Sequence, residues 1–251
     1  MTIELYTGFV GSGKSFHAVR RGTLFADAPL GSGEVIANFP IKPKKKLFSS
    51  FRKEKFNKPR WTFVDNDNLT PEYLVNYSYD WQKRHNRDDV PEGQFLLIID
   101  EAGIVFNSRD WNVKGDLRKE WIKFFTQSRK LGYDVIMIVQ DQRMLDRQIR
   151  SLAEYEVQHK KMNGWGLANL LPFTVFAGVK FWNGLRNLRG SLELTIYNKT
   201  VADRYDTKAL FGYAEEYLKP SGEGGPALAV GTLPEESNTP PQPQTDIKGV
   251  I

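Results

Sequence analysis

An α/β fold with a mostly parallel central sheet flanked by helices is predicted by three observations. At the N-terminus a strand-like segment runs into a glycine-rich loop and then a helix-like segment. Two apolar runs without alternation, Phe95–Ile99 and Val135–Val139, read as strands buried on both faces, as in a parallel sheet. Each run ends in polar residues, Asp100-Glu101 and Gln140, at the carboxyl end where α/β folds gather ligands.

The first element is Thr2–Thr7, which alternates with period two as a strand does. Gly8-Phe9-Val10-Gly11-Ser12-Gly13-Lys14-Ser15 follows and fits the phosphate-binding pattern G-x-x-x-x-G-K-[ST]. Its four fixed positions recur by chance in roughly 1% of chains of this length, before the strand and helix around them are required. The residue types answer to the chemistry. Gly8, Gly11, Ser12 and Gly13 let backbone N–H groups converge on phosphate oxygens, Lys14 brings a positive charge to the β- and γ-phosphates, and the Ser15 hydroxyl is a ligand for Mg²⁺. Phe16 completes the nucleotide-binding set, and Lys14–Asp27 reads as a helix despite Gly22.

Gly33–Phe39 reads as a short second strand stopped by Pro40. From Lys42 to Arg60 come nine basic side chains against one acid, Glu54, with Phe48, Phe51, Phe56 and Trp61 interleaved. Such a stretch suits single-stranded DNA, through charge and stacking, or an anionic lipid surface; a solvated loop is the plain alternative. Trp61–Asp65 looks extended, and Pro71–Arg84 looks helical with Tyr73, Leu74, Tyr77 and Trp81 on one core-facing stripe.

Phe95–Ile99 with Asp100 and Glu101 has the form of a Walker B strand. Asp100 would order Mg²⁺ through its water shell, and Glu101 would orient and polarise the attacking water. Leu117–Leu131 carries Trp121, Phe124, Phe125 and Ser128 at helical spacing, with Gly132 where a C-terminal cap is expected. Gln140 then projects from the same sheet edge as Asp100, in reach of a γ-phosphate or its attacking water. Arg129 is a candidate arginine finger toward a neighbouring subunit, or a solvated helix-end cation. Met162–Val179, the longest uncharged stretch, reads as a sheet edge or hairpin, with the alternating Leu192–Tyr197 as its partner strand.

Composition excludes several classes. The 251 residues, 40% of them hydrophobic, suffice for one sizeable core plus a tail. No cysteine is present, so disulfides, thiolate zinc sites and cysteine nucleophiles drop out together. His17, His85 and His159 are too scattered for metal-ligand spacing, so no structural metal is expected. The N-terminal residues lack a basic leader and an apolar core, which predicts a cytoplasmic site. ATP is expected over GTP, because Asn198-Lys199 is followed by Thr200-Val201 and the carboxylate of N-K-x-D is missing.

Taken together, GFVGSGKS, the strand with DEAG (Asp100–Gly103), TQSRKLGYDVIMIVQD (Thr126–Asp141), DRQIRSLAE (Asp146–Glu154) and RYDT (Arg204–Thr207) resemble the zonula occludens toxin (Zot) family, with its filamentous-phage assembly ATPases. The resemblance covers about residues 1–218. It implies a RecA-like P-loop NTPase domain of the additional-strand type with a C-terminal β extension. It implies further an ATP- and Mg²⁺-dependent motor for phage assembly and extrusion, working as a homo-oligomer such as a hexameric ring. The motor would lie on the cytoplasmic side of the inner membrane beside a membrane-embedded assembly or export partner. One departure stands out. Phage-type members continue into a transmembrane helix, whereas residues 219–251 read as a flexible tail with prolines at 226, 234, 240, 241 and 243. Two other functions fit a P-loop with a strand ending in Asp-Glu-Ala: a nucleoside-type kinase, and a nucleotide-gated adaptor without turnover.

Overall fold

The computed structural model describes residues 2–27, 33–42, 60–107, 115–163 and 173–205. Most of the basic stretch, residues 43–59, and the expected tail lie outside the described residues, as do Asp206 and Thr207 of the late motif.

Strands β1 (Ile3–Thr7), β2 (Glu34–Ala37), β3 (Trp61–Phe63), β4 (Phe95–Ile99), β5 (Tyr133–Ile138), β6 (Tyr155–Lys161), β7 (Val175–Trp182) and β8 (Leu185–Ile196) form one sheet in the order β3-β2-β4-β5-β1-β6-β7-β8. The first six are parallel to their neighbours; β7 and β8 add antiparallel. β5 lies between β1, which leads into the glycine-rich loop, and β4, which ends at Asp100. That interposed strand makes the domain a RecA-like P-loop NTPase of the additional-strand type.

Helices α1 (Lys14–Asp27), α2 (Pro71–His85), α3 (Ala102–Val105), α4 (Gly115–Gln127), α5 (Arg147–Leu152) and α6 (Lys199–Ala202) connect and cover the strands. The period of the strands divides the core in two. Phe95, Leu97 and Ile99 of β4, with Tyr133, Val135 and Met137 of β5, pack with Leu74, Trp81, Trp121 and Phe125 on one face. Leu96, Ile98, Ile136 and Ile138 meet Ala18 and Val19 of α1 on the other. Both runs are therefore strands with two buried faces, which is why they show no alternation.

Two local departures have physical causes. Helix α4 ends at Gln127, before the expected Leu131, because the Ser128 hydroxyl donates to the Phe125 carbonyl at 2.6 Å and the chain continues in tight turns to Gly132. Gly22 sits mid-helix because the Trp61 indole lies against it; a Cβ there would be 2.4 Å from the ring. Of the two readings of residues 162–179, sheet edge or hairpin, the hairpin holds where they are described: β7 pairs with β8, Ala177 facing Leu194, and with β6 on its other side, so that β8 forms the edge. Among the described residues no helix is long and apolar enough to cross a membrane.

Candidate functional site at the carboxyl edge of the sheet

β1 delivers the loop to the carboxyl edge of the sheet, where the Gly8 N–H donates to the Gln140 carbonyl at 3.2 Å. Gly8, Gly11 and Gly13 have φ of 137°, 75° and 92°, a region side-chain-bearing residues rarely adopt. Space adds to conformation. A Cβ on Gly8 would lie 2.5 Å from the His159 carbonyl oxygen, and one on Gly13 2.6 Å from the Phe176 ring. The Ser12 N–H closes the turn onto the Phe9 carbonyl at 3.1 Å, and Phe9 stands 90% exposed at the tip.

Lys14 Nζ curls back on the loop, donating to the carbonyls of Gly8 at 2.7 Å and Phe9 at 3.0 Å. Burial holds its pKa below the ordinary lysine value, against the opposing pull of Asp100. Phosphate oxygens are stronger partners for this ammonium than neutral carbonyls. The first amide of α1 to bond back to the loop is His17, onto the Gly13 carbonyl, so the preceding N–H groups form the helix N-terminus that faces the loop. The Phe16 ring packs on Phe176 and Tyr197, with centroids 5.5 and 5.6 Å away. What Phe16 offers a phosphate is thus its backbone N–H.

Asp100 is the centre of the site and is buried. Its Oδ2 accepts from the Ser15 hydroxyl at 3.0 Å and from the Tyr205 hydroxyl at 2.7 Å, and its Oδ1 accepts from the Glu101 N–H at 2.9 Å. Asn38, at the end of β2, clamps the Asp100 backbone from both sides: its Oδ1 accepts from Asp100 N at 2.7 Å and its Nδ2 donates to Asp100 O at 2.8 Å. Glu101 then turns through the left-handed region, φ 50° and ψ 41°, which ends β4, starts α3 and leaves its side chain exposed. A non-glycine residue in that region costs of order 1 kcal/mol and is characteristic of functional sites. A hydroxyl and a carboxylate converging beside a phosphate loop form the hard oxygen donor set that Mg²⁺ takes.

The remaining expected residues divide. Gln140 is exposed beside the loop, at the edge that carries Asp100. Arg129 lies at the amino edge of the sheet, a strand's length of about 17 Å away, where its Nε donates to Glu92 at 2.7 Å. Asn38 and Tyr205 contact Asp100 and were not among the residues expected from the sequence. Asn38 carried a signal as an amide ending a buried strand, and Tyr205 carried one as part of RYDT, a motif with no chemical role of its own in the sequence.

The fold brings together two of the histidines whose sequence positions are too scattered for metal-ligand spacing. His17 of α1 and His159 of β6 are both buried with ring centroids 4.7 Å apart, because β6 lies beside β1 under that helix. They line a cavity of about 320 Å³ with Glu4, Arg21 and Lys180, and Glu4 pairs with both of those cations. Among the described residues no group of three or more His, Cys, Asp or Glu is placed to hold a metal ion. Burial, aided by His17 and Lys14, pushes the His159 pKa from 6.5 down to about 3. The folded chain therefore refuses a proton that the unfolded chain takes up below 6.5. This contribution is complete above that pH and is lost as pH falls toward 3. Urea unfolding at pH 7 and pH 5 is expected to differ by about 2 kcal/mol from this residue, and His159→Gln removes that difference.

Comparison with known proteins shows the family. The family model described as Zonular occludens toxin (Zot) matches residues 2–186. The Gene 1 protein of Enterobacteria phage I2-2 is 30% identical over 241 residues, covering 88% of this chain and 60% of that relative. The Gene 1 protein of Enterobacteria phage M13 is 35% identical over 131 residues, 46% of this chain and 36% of its own. This chain thus spans at most about 60% of the length of these curated relatives. Among solved structures, the N-terminal domain of zonular occludens toxin from Neisseria meningitidis is similar at a TM-score of 0.45 and 20% identity, over 82% of this chain and 98% of that one.

Proposed function

The chain belongs to the zonular occludens toxin (Zot) family, and on that premise we propose that it is a Mg²⁺-dependent ATPase that oligomerises and drives assembly and extrusion of a filamentous phage from the cytoplasmic side of the inner membrane. The observation that carries the enzymatic part is the 3.0 Å contact between Ser15 of the phosphate loop and Asp100 of β4, with Glu101 next in the chain and exposed toward solvent. The phage setting is supported by the Gene 1 relatives.

The loop amides and Lys14 hold the β- and γ-phosphates of ATP. Ser15 Oγ and Asp100, the latter through the ion's water shell, would hold Mg²⁺, which would supply charge neutralisation for the phosphate oxygens. Glu101 accepts a proton from the attacking water as its oxygen bonds to the γ-phosphorus and the bond to the β–γ bridging oxygen breaks. Gln140 orients that water or the γ-phosphate. Arg129, on the opposite sheet edge from its own loop, is assigned to a neighbouring copy's site.

The test is ATP turnover per subunit against protein concentration, in Mg²⁺ buffer at low salt, with Glu101→Gln as the blank. Turnover that rises cooperatively is expected, because a site completed by a neighbour's Arg129 works only in the oligomer. Concentration-independent turnover removes the shared site and keeps the ATPase. No turnover above the blank removes the ATPase and leaves a nucleotide-gated adaptor.

A further inference from the structure

We propose that Tyr205 is a positioning residue for the metal-binding carboxylate: its hydroxyl, donating to Asp100 Oδ2 at 2.7 Å, holds Asp100 in the orientation that meets Ser15. The inference rests on the reading of Asp100 and Ser15 as the Mg²⁺ site.

The terminal torsion of an aspartate is broad and roughly two-fold, so a carboxylate keeps one orientation only when both oxygens are held. Here the Glu101 N–H holds Oδ1, and Ser15 and Tyr205 share Oδ2. The phenol holds Oδ2 independently of Ser15 and would keep it turned toward that hydroxyl if Ser15 Oγ took a metal ion. A phenol suits this task, since it offers a single O–H at the end of a rigid ring.

The ring is held from several directions. It meets Phe39 edge to face with centroids 4.9 Å apart. The backbone at Tyr205 bridges to Ile41, and the Lys42 N–H donates to the Arg204 carbonyl at 2.9 Å. The Arg204 guanidinium reaches Thr23 Oγ1 of α1 at 3.0 Å. The segment that follows β8 is thereby fastened to both β2's exit and α1, and it ends on the site's central carboxylate. Docking of that segment and occupancy of the metal site are consequently linked, each favouring the other.

The experiment compares the wild-type chain with Tyr205→Phe, which keeps the ring and its Phe39 contact. Mn²⁺ binding is followed by EPR in the presence of a non-hydrolysable ATP analogue. The variant is expected to bind Mn²⁺ roughly ten- to a hundredfold more weakly, the loss of one hydrogen bond to a charged acceptor. Analogue affinity in EDTA is expected to be unchanged, and turnover to recover at saturating Mg²⁺. In a double-mutant cycle with Asp100→Asn, the second substitution is expected to add no further loss, because Tyr205 acts through Asp100. Wild-type Mn²⁺ affinity in Tyr205→Phe overturns the proposal. Tighter binding also overturns it, since the phenol would then be a competitor of the metal. If the wild-type chain itself fails to bind Mn²⁺ with the analogue, the metal-site reading falls first.

Discussion

Glu101→Gln is expected to lower ATP turnover by at least about a hundredfold while leaving the affinity for an ATP analogue within about threefold. The amide keeps the size of the side chain and can still hold a water molecule, but it takes no proton from it. Nothing else in the site is disturbed. The Glu101 side chain is exposed, and its structural contribution, the N–H donated to Asp100 Oδ1, belongs to the backbone. The left-handed turn at φ 50° is tolerated as well by glutamine as by glutamate. Turnover and equilibrium binding measured on the same preparation separate the two effects. Equal loss in both would mean that Glu101 holds the nucleotide rather than the water.

Gly8→Ala is expected to cost roughly 4 kcal/mol of stability and to abolish nucleotide binding, whereas Gly11→Ala costs only about 1 kcal/mol. Both glycines have positive φ, but 137° at Gly8 lies outside the left-handed region open to side-chain-bearing residues, whereas 75° at Gly11 lies close to it. Their surroundings differ as well. The new Cβ at Gly8 would lie 2.5 Å from the carbonyl oxygen of His159, in a strand hydrogen-bonded on both sides and unable to retreat. Around Gly11 there is nothing within 4 Å of the new carbon. Relieving the clash at Gly8 also breaks its N–H contact to Gln140 and moves Lys14's anchor. Urea unfolding and analogue binding of the two variants check the contrast; equal costs would mean that the loop shifts freely against β6.

Much of the site was legible in the chain because its chemistry is local. The phosphate loop is eight consecutive residues whose glycines, lysine and serine act through backbone amides, one ammonium and one hydroxyl. β4 and β5 were legible because burial on both faces leaves an uninterrupted apolar run, and each run ends where its polar residue must stand. The antiparallel β7–β8 edge was legible from alternation in Leu192–Tyr197. Helix ends were less so: α4 stops at Ser128, whose hydroxyl competes for a backbone carbonyl, a choice that helical spacing does not record.

The phosphate loop, the two carboxylates after β4, the α/β class and the family are all written in residues close together in the chain. Which distant residues join them depends on how the strands are ordered and packed. Strand order carries β2 beside β4, so that Asn38 clamps Asp100, and β6 beside β1, so that His159 meets His17 and crowds Gly8. The return of the segment after β8 to Ile41 places the Tyr205 hydroxyl on Asp100. Such partners are set by packing and hydrogen bonding across the sheet, between residues far apart in sequence, and no local spacing encodes them.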